Sequence, residues 1–160
     1  MKVRPNAIKG ERPGSRYRPS MDITLAQANQ IIAGALQRAT DAGHKPMAVV
    51  VLDAAGHLRS AQRQDGASMF RIDIATGKAW ASIAMGAASR VLTQRAKDLP
   101  AFFGALAATG NGKFIPQTGA VLIQDAEGNV IGAAGASGGT GDEDEAICIA
   151  GIEAAGLQHG

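Results

Sequence analysis

The sequence predicts an α+β domain in which one antiparallel sheet carries helices. Two β-branched runs each end in a turn opened by Asp and closed by Gly, then return with alternation, as hairpins do. Stretches with helical apolar spacing precede, separate and follow them, so the order reads α-ββ-α-α-ββ-α. A third observation concerns packing. The 160 residues include 32 alanines and 21 glycines, and only 4% are aromatic. Such a core has to pack backbone close to backbone, because each alanine buries little area. A small domain of this kind gains stability by self-association, so a homo-oligomer is expected.

Residues 1–20 read as a basic, Pro-rich, flexible extension. Lys2, Arg4, Lys9, Arg12, Arg16 and Arg18 face one acid, Glu11, and Pro5, Pro13 and Pro19 break any period. The alternative is an arm laid over a neighbouring subunit with Tyr17 as its anchor. A single domain then spans 21–158. Thr24 and Gln27 fit a capping box, and Ile31, Ile32, Ala35, Leu36 and Ala39 follow at helical spacing until Gly43. Met47 to Leu52 is a strand, Asp53 to Gly56 a turn, and His57 to Arg63 the returning strand. Residues 67–95 are helical in tone, with Gly86 as an interruption, and Ala101 to Ala108 form a short helix after Pro100. Ala120 to Gln124 and Asn129 to Ala134 repeat the hairpin around Asp125 and Gly128. A Gly-rich bend at 135–139 leads to a last helix through Glu153, opened by a second capping box of Thr140 and Glu143.

Charge excludes some functions. The chain carries a formal +2, but residues 20–160 hold ten basic and thirteen acidic groups. With no basic stripe and few aromatics, a nucleic-acid partner is not expected. One cysteine, Cys148, permits neither an intrachain disulfide nor a Cys-based zinc site, and it shares a helical face with Ile152 and Ala155. No apolar run has membrane-spanning length and the N-terminus has no apolar signal region, so a cytoplasmic protein is expected.

Several residues could carry chemistry. Gly135-Ala136-Ser137-Gly138-Gly139 fits the nucleophile-elbow pattern, but only His159 follows it, so a tight strand-to-helix turn is the better reading. The acids Asp142, Glu143, Asp144 and Glu145 match a helix dipole and would repel a free anion there; a solvated cap is expected. Arg63 and Asp65 bracket a strand end before Gly66, either as an ion pair fixing the loop or as a ligand clamp. His44 stands in a helix-to-strand loop and His57 opens a strand after a Gly, without the spacing of a transition-metal site. Lys78 lies on an apolar helix among Ala75, Ala79 and Trp80, where it must snorkel or pair in a pocket.

Taken in order, these pieces resemble the GlcG/HbpS-like family, also described as haem-degrading or PduO C-terminal-like. The residues that carry the resemblance are Val50-Val51-Leu52-Asp53 with Gly56, Arg63-Gln64-Asp65-Gly66-Ala67, Ala75 with Lys78-Ala79, and Val130 to Gly139 with Asp144-Glu145. The match runs from about Leu25 to Leu157, with Thr118-Gly119 where the family often has a Gly-Gly pair. The resemblance implies a profilin-like sandwich, higher oligomers and, in some members, haem binding or degradation. On that footing the ligand contacts expected for haem are His44 or His57 as axial ligand and Arg63 or Lys78 on the propionates, with Ser137 and Gly138 beside them. The alternative is an enzyme moving a proton on a small carboxylated metabolite, with Arg63, Asp65 and His57 as its catalytic set. A ligand-free assembly protein is the third reading.

Overall fold

A computed structural model describes residues 22–160. The expected basic extension at 1–20, with Tyr17, lies outside the described residues. The elements are α1 (Leu25–Asp41), β1 (Ala48–Asp53), β2 (Leu58–Arg63), α2 (Phe70–Met85), α3 (Ser89–Asp98), α4 (Pro100–Thr109), β3 (Ala120–Gln124), β4 (Val130–Ser137), α5 (Gly141–Ala154) and β5 (Gln158–His159). The sheet order is β2-β1-β4-β3-β5 with every neighbour antiparallel. This is the α+β sandwich that the sequence predicts.

Both capping boxes form. The Thr24 side chain accepts from the Gln27 N–H and the Thr140 side chain from the Glu143 N–H. Both hairpin turns close alike, with Asp53 and Asp125 accepting backbone N–H groups and Gly56 and Gly128 each at φ +84°. Such a φ is nearly free for glycine and strained for other residues.

Strand alternation divides the core. Val49, Val51, Val121, Ile123, Ala134 and Ala136 face α1 and α5, while Val50, Leu52, Leu122 and Ala133 face Ala75 and Ala79 of α2. The small residues bring backbones together as composition requires. A Cβ at Gly151 of α5 would lie 2.2 Å from the Ile31 carbonyl oxygen of α1, and one at Gly135 of β4 would lie 2.3 Å from that of Ala75. A third cluster of Ala81, Leu92, Phe103 and Phe114 seats α3 and α4 beside α2.

Three expectations change. The stretch 67–95 is two helices, because α2 ends at Gly86 in a left-handed conformation and α3 starts anew at Ser89. The Ser89 hydroxyl ties that start to the sheet, accepting from the Ala120 N–H at 2.8 Å. The Gly-rich bend begins later than expected, since β4 pairs with β1 as far as Ser137. The two residues of β5 are too short to leave a sequence pattern and pair with Ile123 and Gln124.

Candidate functional site

The carboxyl end of β4 brings Ser137, Gly138 and Gly139 beside the first turn of α5, with Ser137 buried and Gly139 partly exposed. Beneath them Lys78 of α2 reaches Asp144 of α5. The Nζ–Oδ2 distance is 2.9 Å, with the two side chains 7% and 2% exposed. Lys78 also donates to the Ala136 carbonyl at 3.1 Å, and Asp144 Oδ1 accepts the Gly139 N–H at 3.0 Å. Burying two charges carries a desolvation cost that packing alone does not require, which marks this pair as a functional-site candidate. Gly119 makes the pair fit. At φ +136° it passes so close that a Cβ would lie 2.7 Å from Lys78 Nζ and 3.0 Å from Asp144 Cβ.

The sequence expectation of four solvated acids is therefore corrected for Asp144. Consecutive helical positions rotate by about 100°, so one acid of the run turns inward while its neighbours stay near the surface. Asp142 and Glu145 pair with Arg90, whose guanidinium they push above its usual pKa by hydrogen bonding. Glu143 closes the cap and lies 3.6 Å from His44 Nδ1.

A groove of about 400 Å³ opens over the Lys78–Asp144 pair, walled by Arg71, Gln117, Thr118, Ser137 and Thr140. It continues past Gly138 and Gly139 into a cleft of about 640 Å³ that reaches His44 and Lys45. Arg71, on the first turn of α2, stands between the two and donates to Ser137 Oγ at 3.3 Å. The structure thus gathers Lys78, Ser137, Gly138 and His44. It adds Arg71, which no local motif announced.

The other predicted residues lie elsewhere. Arg63, Gln64 and Asp65 share a cleft of about 560 Å³ with His44, Leu36 and Pro46. Arg63 donates to the Ala67 carbonyl rather than pairing with Asp65. His57 sits at the turn end of the β1–β2 hairpin, whereas Arg63 is at its open end, paired with Ala48. A strand of six residues separates them by roughly 20 Å. The hairpin therefore does not bring Arg63, Asp65 and His57 into one catalytic set.

His57 borders an apolar slot of about 750 Å³ walled by Leu52, Leu58, Phe70, Thr76 and Trp80, with Lys113 at its edge. Its ring is 80% exposed and its Nδ1 lies 3.7 Å from Asp53 Oδ1. Among the described residues no three His, Cys, Asp or Glu side chains gather to hold a metal ion. Ser137 Oγ meets Arg71 and no histidine, so the elbow pattern is a turn. Cys148 is fully buried and its thiol pKa is pushed far up by burial, with Asp144 adding to the rise. No described helix is long and apolar enough to cross a membrane.

Residues 23–153 match the family described as haem degrading protein HbpS-like. The chain belongs to the HbpS-like family. A relative, the corrinoid adenosyltransferase PduO of Citrobacter freundii, is 27% identical over 153 residues, which is 96% of this chain and 45% of that protein. The chain thus spans less than half the length of this relative. Among solved structures, that of a PduOC–haem complex superposes with a TM-score of 0.76 at 26% identity, covering 86% of this chain and 97% of the other. The Klebsiella pneumoniae protein ORFY matches with a TM-score of 0.76 at 28% identity, covering 84% and 90%. Thr118, where the HbpS-like pattern often has glycine, is accommodated by Gly141, at which a Cβ would lie 2.9 Å from Thr118 Cβ.

Proposed function

We propose that this HbpS-like chain binds haem or a related tetrapyrrole in the apolar slot beside His57. The observation that carries the reading is an exposed histidine at the mouth of a slot walled by Leu52, Leu58, Phe70 and Trp80. A tetrapyrrole needs apolar walls for its macrocycle, one open nitrogen ligand, and a cation for its propionates. The residues fit these needs. His57, its ring largely exposed and its Nδ1 3.7 Å from Asp53, supplies the nitrogen ligand. Lys113 at the edge is placed for a propionate, whereas Lys78 and Arg63 are engaged by Asp144 and Ala67. Haem, when bound, supplies a ligand-binding and redox-active iron. The similar PduOC–haem complex supports the choice of ligand.

The test is a haemin titration followed at the Soret band. The expected result is a saturable, stoichiometric spectrum that His57→Ala removes and His44→Ala leaves intact. Loss with His44→Ala but not His57→Ala, or no saturation in the parent chain, overturns the assignment. The reading includes self-association, supported by the exposed apolar side chains of Val91 on α3, Phe102 on α4 and Leu99 between them. Sedimentation of the same samples as monomers alone removes that part.

A further inference from the structure

The polar groove at the end of β4 holds more hydrogen-bonding capacity than the fold uses. Arg71 has five guanidinium donors, and among the described residues one side-chain partner, the Ser137 hydroxyl oxygen, takes them up. Ser137 is 1% exposed and accepts from Arg71, while its own O–H has no acceptor among the described residues. Lys78 gives two of its three N–H groups to Asp144 and Ala136. Donors from two elements, α2 and β4, therefore converge on one space, with Arg71 meeting only Ser137 among the described residues.

The charges narrow the ligand. Lys78 is paired with Asp144, while Asp142 at the rim and Glu145 share Arg90. Arg71 is the cation of the groove with no carboxylate partner among the described residues, so an anionic group opposite it would pair it. Near the start of α5, the Glu143 N–H goes to Thr140 and the Gly139 N–H, in the preceding bend, to Asp144. A phosphate dianion would bring a second charge toward Asp142, Asp144 and Glu143. The planar guanidinium fork suits a carboxylate, and about 400 Å³ holds a small acid rather than a macrocycle.

We propose that the groove over the Lys78–Asp144 pair is a binding site for a small carboxylate, clamped by Arg71 and hydrogen-bonded by Ser137. The site is separate from the apolar slot and does not depend on the haem reading. Gln117 and Thr140, on its wall, are placed to meet polar substituents of the acid.

The experiment is calorimetric titration of the full chain with acetate, lactate, succinate and benzoate, each beside inorganic phosphate. At least one carboxylate is expected to saturate. Arg71→Gln is expected to weaken it about tenfold or more, the loss typical of a charge-assisted pair. Ser137→Ala weakens it by a smaller factor, and Lys97→Gln, which removes an equal charge outside the groove's lining, leaves it unchanged. Circular dichroism confirms that each variant folds, and Ser137→Ala decides if Arg71→Gln does not. The proposal is overturned if no carboxylate saturates, if phosphate binds as tightly, or if the groove variants match the parent. It is also overturned if Arg71→Gln weakens haemin alone, which would make Arg71 a propionate contact.

Discussion

Replacing Lys78 by methionine leaves Asp144 buried, 2% exposed, with the Gly139 N–H as its remaining donor. Replacing Asp144 by asparagine leaves a buried ammonium facing the Ala136 carbonyl. Breaking a buried pair from one side costs about 3–5 kcal/mol, a large share of the ~5–15 kcal/mol that holds a domain together. Making both changes removes both charges, and the asparagine keeps an acceptor for the Gly139 N–H. The double variant should then lie within about 2 kcal/mol of the parent, the scale of one imperfect buried hydrogen bond. Urea unfolding followed by circular dichroism and by the fluorescence of Trp80, the only tryptophan, measures this. With a slope near 2 kcal/mol/M, each single variant moves the midpoint down by about 1.5–2.5 M and the double variant by about 1 M or less. The double-mutant cycle should therefore show a coupling of about 4 kcal/mol or more. Additive single effects would refute the claim that the two charges sustain each other. If the double variant also loses the carboxylate binding of the groove while keeping its fold, the pair is retained for the site rather than for stability.

Two glycines give opposite expectations for one substitution. Gly151→Ala puts a Cβ 2.2 Å from the Ile31 carbonyl oxygen and forces α1 from α5, for a loss of about 1–3 kcal/mol and roughly 2–12 °C in melting temperature. Gly104→Ala, in an exposed part of α4 with nothing within 4 Å, should gain about 0.5–1 kcal/mol, so thermal melts that lower both or raise both contradict the packing described. Asp125 gives a pH dependence. Hydrogen bonds from the Asn129 side chain, then the Asn129, Glu127 and Gly128 N–H groups, hold its carboxyl below the usual aspartate value. Its folded pKa is the lower one, so its contribution is fully present above the unfolded value and fades as pH falls through the folded one. Asp125→Ala should therefore be less stable than the parent at pH 7, and the gap should narrow under acid below about pH 4. A gap unchanged from neutral to strongly acid solution contradicts the assignment.

The sheet and most of the helices were legible because their signals are local. An Asp-x-x-Gly turn between alternating residues needs no knowledge of the rest of the chain, and a capping box is complete within four positions. The split into α2 and α3 was harder to read. Gly86-Ala87-Ala88 looks like a tolerated interruption, and what starts the new helix at Ser89 is a hydrogen bond to Ala120, 31 positions away. The site was legible only by halves. Lys78 among Ala75, Ala79 and Trp80 had either to snorkel or to pair, and its burial selects the partner, since a buried ammonium without one is prohibitively costly. Which acid answers it depends on how α5 lies against the sheet, and four consecutive acids hide the one that turns inward. Arg71 carries no motif at all. It matters because β4 ends beside it, bringing Ser137 to it from 66 positions away.

Helix α2 explains why two different cavities coexist in so small a fold. Phe70, Asp73, Thr76 and Trp80 recur at helical spacing along one stripe and line the apolar slot. Arg71, Ile74 and Lys78 recur along the adjacent stripe and line the polar groove. Between them Ala75 and Ala79 press the helix onto the sheet, and Gly135 of β4 lets the Ala75 carbonyl approach. A larger residue at any of these contacts would lift α2 and alter both cavities together. The small residues that gave the sequence its unusual composition are thus also what sets the spacing of the two candidate sites.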